Sequence, residues 1–471
     1  MPILSSSQRR QWAALAPVWF CLVLLLGCSS SQTRLPPPVE PPDSFSRSGE
    51  KTVPERWWQA FSDQGLSTSV KRALEGNFDL KVAWQRLREA EALVNRESAD
   101  LFPDLNATAD TDITRGNQRG ADAESVRLGL ESSYEVDLWG RIRSRVEAER
   151  FRVRASLLDY RTAALSLSAE VTRTWFRLME ARYQLELLRE QLSTNRDVLR
   201  LLKTRFSSGV ASSADVLRQM QLLEATREQK FAVESRKEVL EHQLAVLSGK
   251  APRSFRAETG TELPDLPAMP ETGLPIELVR RRPDVRRAHN RLRAADADMA
   301  AAISNQYPRL TLNASLSSED NDASDLFDNW AAAFAGNLVA PLVDAGQRRA
   351  EVERTRSVKD QRLFEYGQTI LTAFREVEDA LVEEKKQRER IRTIEEQFRL
   401  ADATYKQLQT EYLNGVTEYI DVLTALTDRQ ELRRNLLSAK LGLIEQRIDL
   451  YRALAGGFRT QSETGESSNH G

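Results

Sequence analysis

Cysteine is almost missing from this 471-residue chain, with only Cys21 and Cys28, both near the N-terminus. The body of the protein therefore has no material for a disulfide framework or thiol chemistry. Histidine is as scarce: His242, His289 and His470 lie far apart, and neither an HExxH nor a CxxC run occurs. Metal and Ser-His chemistry have almost nothing to work with, so no catalytic residues, no metal site and no cofactor are expected. Charge of one sign is lacking too. Lys plus Arg number 67 against 69 Asp plus Glu, a balance that argues against the clustered basic surface of a nucleic-acid binder. Glycine clusters are too sparse for a phosphate loop, since Gly456-Gly457 lacks a following Lys-Ser/Thr.

Long apolar runs are also missing. The one such run, Trp12 to Leu26, has fifteen residues, short of the roughly 20 of a membrane helix but suited to the core of a secretory signal. It follows Arg9-Arg10 and ends in Leu25-Leu26-Gly27-Cys28. The arginine pair reads as an ordinary basic n-region, with twin-arginine export as the alternative. The ending resembles a bacterial lipoprotein signal, so residues 1–27 are expected to be a signal peptide and Cys28 the lipidated residue; the alternative is a signal cleaved elsewhere. Residues 28–56, rich in Ser and Pro up to Val53, read as an extended tether.

What the chain does have is a copy of itself. Asp79, Leu87, Ala90 and Pro103 recur 205 residues later as Asp284, Leu292, Ala295 and Pro308. Gly140, Gly209, Asp215, Val216 and Leu217 recur 206 later as Gly346, Gly415, Asp421, Val422 and Leu423. A period this long is a folding half rather than a solenoid unit. Residues 57–264 form the first repeat and 265–458 the second, with a polar tail, 459–471, expected to be disordered.

Each repeat changes its hydrophobic period in the same order. Amphipathic helices are predicted from Gly65 to Gly76 and from Asp79 to Leu101. Beyond Pro103 the period falls to two, predicting a β-hairpin over about 104–137 and its copy over about 309–342. Val126, Leu128, Leu130, Tyr134 and Val136 alternate with Arg127, Glu131, Ser133 and Glu135. Such strands fit a transmembrane barrel, and a half-buried soluble hairpin gives the same pattern. Next come 68 residues without Gly or Pro, Arg141 to Ser208, and again 68 from Gln347 to Asn414 with Gly367 alone. A continuous helix of that length spans roughly 100 Å. Heptad ladders such as Leu185, Leu188, Leu192, Asn195, Leu199, Leu202, Phe206 run into Gly209 or Gly415, and return helices start near Asp215 and Asp421. These are two antiparallel coiled-coil hairpins with tips at 209–215 and 415–421. Four strands cannot close a membrane barrel alone, and an open edge cannot face lipid, so the strands must be pooled between protomers.

Four motifs carry a family resemblance. They are Tyr134-Glu135-Val136-Asp137-Leu138-Trp139-Gly140-Arg141, Leu274-Pro275 followed by Arg281-Arg282-Pro283-Asp284, Pro341-Leu342-Val343-Asp344-Ala345-Gly346, and Ala373-Phe374-Arg375-Glu376-Val377-Glu378. From about Trp57 to Phe458 the chain resembles the TolC-type outer-membrane efflux channels, in their lipid-anchored OprM and NodT-like branch. The implied fold is mainly α with a small β part, duplicated in tandem. In it a homotrimer makes a 12-stranded β-barrel continued by a long α-helical coiled-coil tunnel. The implied function is passive conduction of small molecules from periplasm to exterior. The implied partners are a periplasmic adaptor (membrane fusion protein) and an inner-membrane pump of the proton-driven resistance-nodulation-division class, with no nucleic acid. The implied place is the bacterial outer membrane, lipid-anchored and reaching into the periplasm; Ser29 after the lipidated cysteine suits outer-membrane sorting. His289 stands where relatives usually have a glutamate, and Ala455-Gly456-Gly457-Phe458 replaces a Gly-Gly-Gly-Trp-like ending. The other reading of the residues is an envelope lipoprotein whose coiled coils tether membranes without a pore.

By this resemblance Tyr412 and Asp421 belong to a periplasmic gate, although Thr417 and Thr424 stand where some relatives carry an arginine and an aspartate. The plainer alternative is that Asp421 caps a helix and Tyr412 packs in the heptad, as Asp215 and Phe206 would in the first copy. Gly209, Val210, Gly415 and Val416 are the expected adaptor contacts, with turn geometry as the plain alternative. Asp110, Asp112, Glu131 and Glu135 against Arg127 form an expected lumen charge set, favouring cations modestly in a narrow wet pore, or else a solvated surface. Trp139 and Trp330 fit either a membrane-interface belt or packing at strand ends.

Overall fold

The computed structural model describes residues 38–114, 123–253, 260, 262–320, 326 and 329–463. The expected signal peptide and Cys28 lie outside the described residues. So do the loop 115–122 and residues 464–471.

After a short 3-10 turn at Trp57–Phe61 come α1 (Gln64–Gly76) and α2 (Phe78–Ala99). Each helix starts where a side chain can satisfy a free amide. Asp63 accepts from the Leu66 N–H and Asn77 from the Leu80 N–H, both at 2.9 Å. Strands β1 (Asn106–Thr114) and β2 (Ala123–Val136) follow. Then come the long α3 (Arg141–Ser207) and its return helix α4 (Ser213–Leu247). The second copy repeats the order with α5 (Pro275–Arg281), α6 (Pro283–Ser304), β3 (Arg309–Asp320), β4 (Ala331–Val339), α7 (Gln347–Leu413) and α8 (Tyr419–Leu454). The two long helices have 67 residues each, about 100 Å of rise. No described helix is long and apolar enough to cross a membrane.

The shorter helices are stacked end to end to match that length. The Asn77 amide donates to the Leu247 carbonyl at 3.1 Å, joining the end of α4 to the start of α2. There Gly76 and Gly249 approach so closely that a Cβ on Gly76 would lie 2.3 Å from the Ser248 carbonyl oxygen and one on Gly249 2.2 Å from that of Gly76, which no side chain allows. Likewise Arg282 donates to the Ala453 carbonyl at 3.2 Å, joining α8 to α6. Each protomer is thus a wall of four columns, ordered α4 with α2, α3, α8 with α6, and α7. The main core packs one side of this wall against the 3-10 turn and α1. Trp57 stacks on Tyr451, Phe61 packs on Phe176, and Trp175 donates to Asp63 at 2.8 Å.

Two segments that composition alone presents as spacers are docked. Within the expected tether, Phe45 packs on Phe374, and the Ser46 N–H donates to Glu378 at 2.9 Å. Lys51 forms a parallel bridge with Pro270. Of the expected disordered tail, residues 459–463 are anchored: Thr460 is buried against the Tyr160 hydroxyl at 2.6 Å, and Arg161 pairs with Glu463 at 2.7 Å. The signal for both lies in partners hundreds of residues away, which local composition does not carry.

A fully buried charge, Arg447, holds the linker between the copies. It grips Glu384 through two bonds of 2.8 and 2.7 Å and donates to the Pro267 and Ala268 carbonyls at 2.5 and 2.9 Å. Burial alone would raise the Glu384 pKa, but hydrogen bonds and charge from Arg447 and Arg388 outweigh it and leave it below the ordinary value. Its contribution to stability is therefore present above the usual carboxylate range and lost as pH falls through the lowered pKa. Arg447→Met alone is predicted to destabilise by about 3–5 kcal/mol, because it breaks a buried ion pair and leaves Glu384 with Arg388 on one oxygen and, among the described residues, nothing on the other. Denaturant unfolding should show this loss, and Glu384→Leu added to it should recover part.

Candidate functional site

The sheet runs β1-β2-β3-β4, antiparallel throughout. Its register puts Leu128 and Leu130 beside Ala109 and Ala107, and Leu312 and Leu316 beside Tyr134 and Leu130. Phe334 and Leu338 continue this face opposite Ala314 and Leu310. Most of it is apolar and half-buried or exposed, Phe334 being 75% exposed. The other face carries Asp110, Asp112, Arg127, Glu131 and Glu135 with Asn106, Asn313 and Ser315. The five charged residues read from the sequence do share one face.

Their pairing changes the charge balance. Arg127 faces Asp110 on one side and Glu319 on the other, and binds Glu319 at 2.5 and 3.1 Å. Glu135 is held by Arg141 at 2.7 and 3.1 Å. Among the described residues Asp110, Asp112 and Glu131 make no ion pair, so they carry the residual negative charge. Glu319 and Arg141 escape a sequence reading because only the β2–β3 register and the start of α3 bring them in. Trp139 donates to the Pro308 carbonyl at 2.8 Å and stacks on Tyr307 at 4.9 Å, so it packs at the foot of the sheet.

The helical wall also has two bare edges. Phe231, Val239 and Val246 expose an apolar row on α4, continued by Phe78 and Val82 on α2; Phe364, Leu371 and Val382 do so on α7. Apolar rows of this length on a monomer mark contact surfaces.

At the far end the two hairpin tips pack together. Leu202 and Val198 of the first copy meet Tyr405, Tyr419, Val422 and Leu426 of the second. Both tips turn identically: the Val210 N–H reaches the Arg205 carbonyl, and the Val416 N–H the Glu411 carbonyl, each at 2.9 Å. This closure needs positive φ, found at Gly209 (73°) and Gly415 (76°). Beyond the turns Val210 and Val416 project 62% and 73% exposed, which turn geometry does not require.

The tips differ in their first helical turns. Ser212 and Asp215 form a reciprocal capping box. In the second copy Glu418 occupies the cap without a side-chain bond, and Asp421 stands inside the helix, accepting from the Thr417 hydroxyl at 2.7 Å. Tyr412 lies 5.6 Å from the Tyr419 ring and under the Arg205 guanidinium at 4.8 Å. Its hydroxyl is buried with no hydrogen-bond partner among the described residues.

A buried polar seam, invisible as a heptad pattern, joins the hairpins above the tips. Tyr419 donates to Gln219 at 2.6 Å, Gln219 to the Asn195 carbonyl at 2.8 Å, and Gln430 to the Asn195 side chain at 2.9 Å. Burial raises the Tyr419 pKa far above a free phenol, with Tyr405, Tyr412 and Asp215 adding to it, so Tyr419 remains a donor.

The family model for outer membrane efflux protein matches residues 69–250 and 274–456. The pyoverdine export outer membrane protein OpmQ of Pseudomonas aeruginosa is 30% identical over 93% of this chain and 96% of its own length. The solvent efflux pump outer membrane protein SrpC of Pseudomonas putida is 29% identical over 93% and 97%. The solved structure of the outer-membrane channel OprN superposes with a TM-score of 0.82 at 28% identity, covering 90% of this chain and 99% of that one.

Tyr419→Phe removes the donor at the head of the seam and leaves the Gln219 oxygen buried and unpaired, at a cost of about 1–3 kcal/mol. Amides around Leu202 and Leu426 are predicted to exchange hydrogen about tenfold faster or more, with the upper wall unchanged.

Proposed function

The chain belongs to the outer membrane efflux protein family, and from that premise we propose how this member conducts and closes. It is the outer-membrane channel of a tripartite efflux system, a homotrimer that reaches into the periplasm and docks to an adaptor and an inner-membrane pump. The observation that carries this reading is a four-stranded sheet with one apolar face and two open edges, set on a helical wall whose two edges are also bare. A tethering lipoprotein without a pore leaves that sheet without a role.

The conduit is passive, and a proton-driven pump of the resistance-nodulation-division class supplies the energy. The relatives above are named for pyoverdine export and for solvent efflux, which supports cargo selection by the pump rather than by the wall. Lipidation of Cys28 is supported by reach. Phe374, where Phe45 docks, lies roughly 40 Å along α7 from the sheet, and the chain from Cys28 to Phe45 extends up to about 60 Å.

Tyr412 and Asp421 form the periplasmic gate. Val210 and Val416, held out by Gly209 and Gly415, meet the adaptor. On the polar face, Asp110, Asp112 and Glu131 favour cations, while Arg127 and Glu135 are neutralised by Glu319 and Arg141.

Purified trimers in planar bilayers are predicted to show discrete openings, and Asp421→Ala to raise the resting conductance; an unchanged conductance would remove Asp421 from the gate. Reversal potentials under a salt gradient should show modest cation preference, reduced in the Asp110→Asn, Asp112→Asn double variant. Anion preference in the wild type contradicts the assigned lumen charge.

A further inference from the structure

A second site lies on the wall away from the tunnel. A cavity of about 450 Å³ opens between α3, α5, α6 and α7. Leu157, Leu158, Val279 and Val285 supply apolar lining beside the ring of Tyr366. Arg154, Arg161, Arg280 and Arg286 surround it, and no carboxylate is among the described lining residues. Arg161 is satisfied by Glu463. The other three make no ion pair among the described residues, although Arg154 lies 5.1 Å over the Phe151 ring, which Arg293 also covers at 4.9 Å. His289 adds no counter-charge. Burial first, and the charge of Arg293 second, lower its pKa and keep it neutral at neutral pH.

Position narrows the ligand. On α6, Arg287 and Arg291 pair across to Asp159 at 2.7 and 2.8 Å; they stand about 200° round the helix from His289 at 3.6 residues per turn. The cavity shares its side with α5 and the docked C-terminal residues, a layer for which the bore of a tube has no room. It therefore opens outward into the periplasm. His289 lies roughly 25 Å along α6 from the sheet, too far below the membrane for a lipid headgroup.

We propose that this cavity binds a small amphipathic anion from the periplasm. Its carboxylate or phosphate would be held by Arg154, Arg280 and Arg286, with its apolar body over Leu157, Leu158 and Val285. The volume falls within the ~300–1,000 Å³ of small-molecule sites. Guanidinium forks match both acid groups in paired hydrogen bonds.

The test is calorimetric titration of the detergent-purified full-length trimer with 2-naphthyl phosphate. Saturable binding is expected, weakened about tenfold or more in the Arg154→Gln, Arg280→Gln, Arg286→Gln variant, and partly restored by lysines at the same positions. The exposed Arg72→Gln serves as the control and should bind as the wild type does. Uncharged 2-naphthol should bind at least about tenfold more weakly than the phosphate. Absent binding, equal binding by the triple variant, or equal binding of 2-naphthol overturns the proposal. So does a site that ignores the phosphate and takes up only an acidic peptide such as hexaglutamate.

Discussion

Every backbone N–H and C=O that enters a lipid bilayer must find a partner within protein, because hydrocarbon offers none. Among the described residues of this protomer β2 and β3 are paired on both sides, but β1 and β4 each have one neighbour. Four strands are half the practical minimum for closure, so the two open edges have to be answered by other copies of the chain. The trimer of the family answers them, and the rest of the molecule follows from that closure. Once the strands stand in a ring, the helices continuing from them stand in a ring as well. The bare apolar rows on α4 and α7 then become seams between protomers rather than exposed surface.

Duplication supplies this ring economically, since each copy contributes a hairpin, a 67-residue helix and a tip of the same geometry. The copies diverge in the first helical turn beyond each tip. The first tip is closed by its own capping box, whereas the second leaves Asp421 and the Tyr412 hydroxyl with bonding capacity. Between them the Asn195, Gln219, Tyr419 and Gln430 seam replaces apolar packing with directional bonds. A seam of that kind specifies register, because any slip strands several buried polar groups at once. Arg447 does the equivalent for the linker, fixing residues 267 and 268 to the helix pair of the second copy.

Much of the fold was legible because it is periodic. The absence of Gly and Pro from Arg141 to Ser208 marks the observed end of α3 to within one residue, and the period-two runs mark all four strands. The five charges of the polar face were legible for the same reason, since parity along a strand decides the face. Their partners were not. Arg127 meets Glu319 only through the β2–β3 register, and no local pattern encodes a pairing 192 residues away. The docked tether and tail were missed on similar grounds: Phe45 and Thr460 look like isolated residues in polar segments until Phe374 and Tyr160 are placed beside them. Asp421 looked like a possible cap in sequence, and only the path of the backbone puts Glu418 there instead.

The most direct test of closure is hydrogen exchange of the strand amides in the detergent-extracted assembly. In a closed ring, amides of β1 and β4 exchange as slowly as those of β2 and β3, because every strand has two neighbours. Fast exchange confined to β1 and β4, with β2 and β3 protected, would show an open four-stranded sheet and contradict the channel at its foundation.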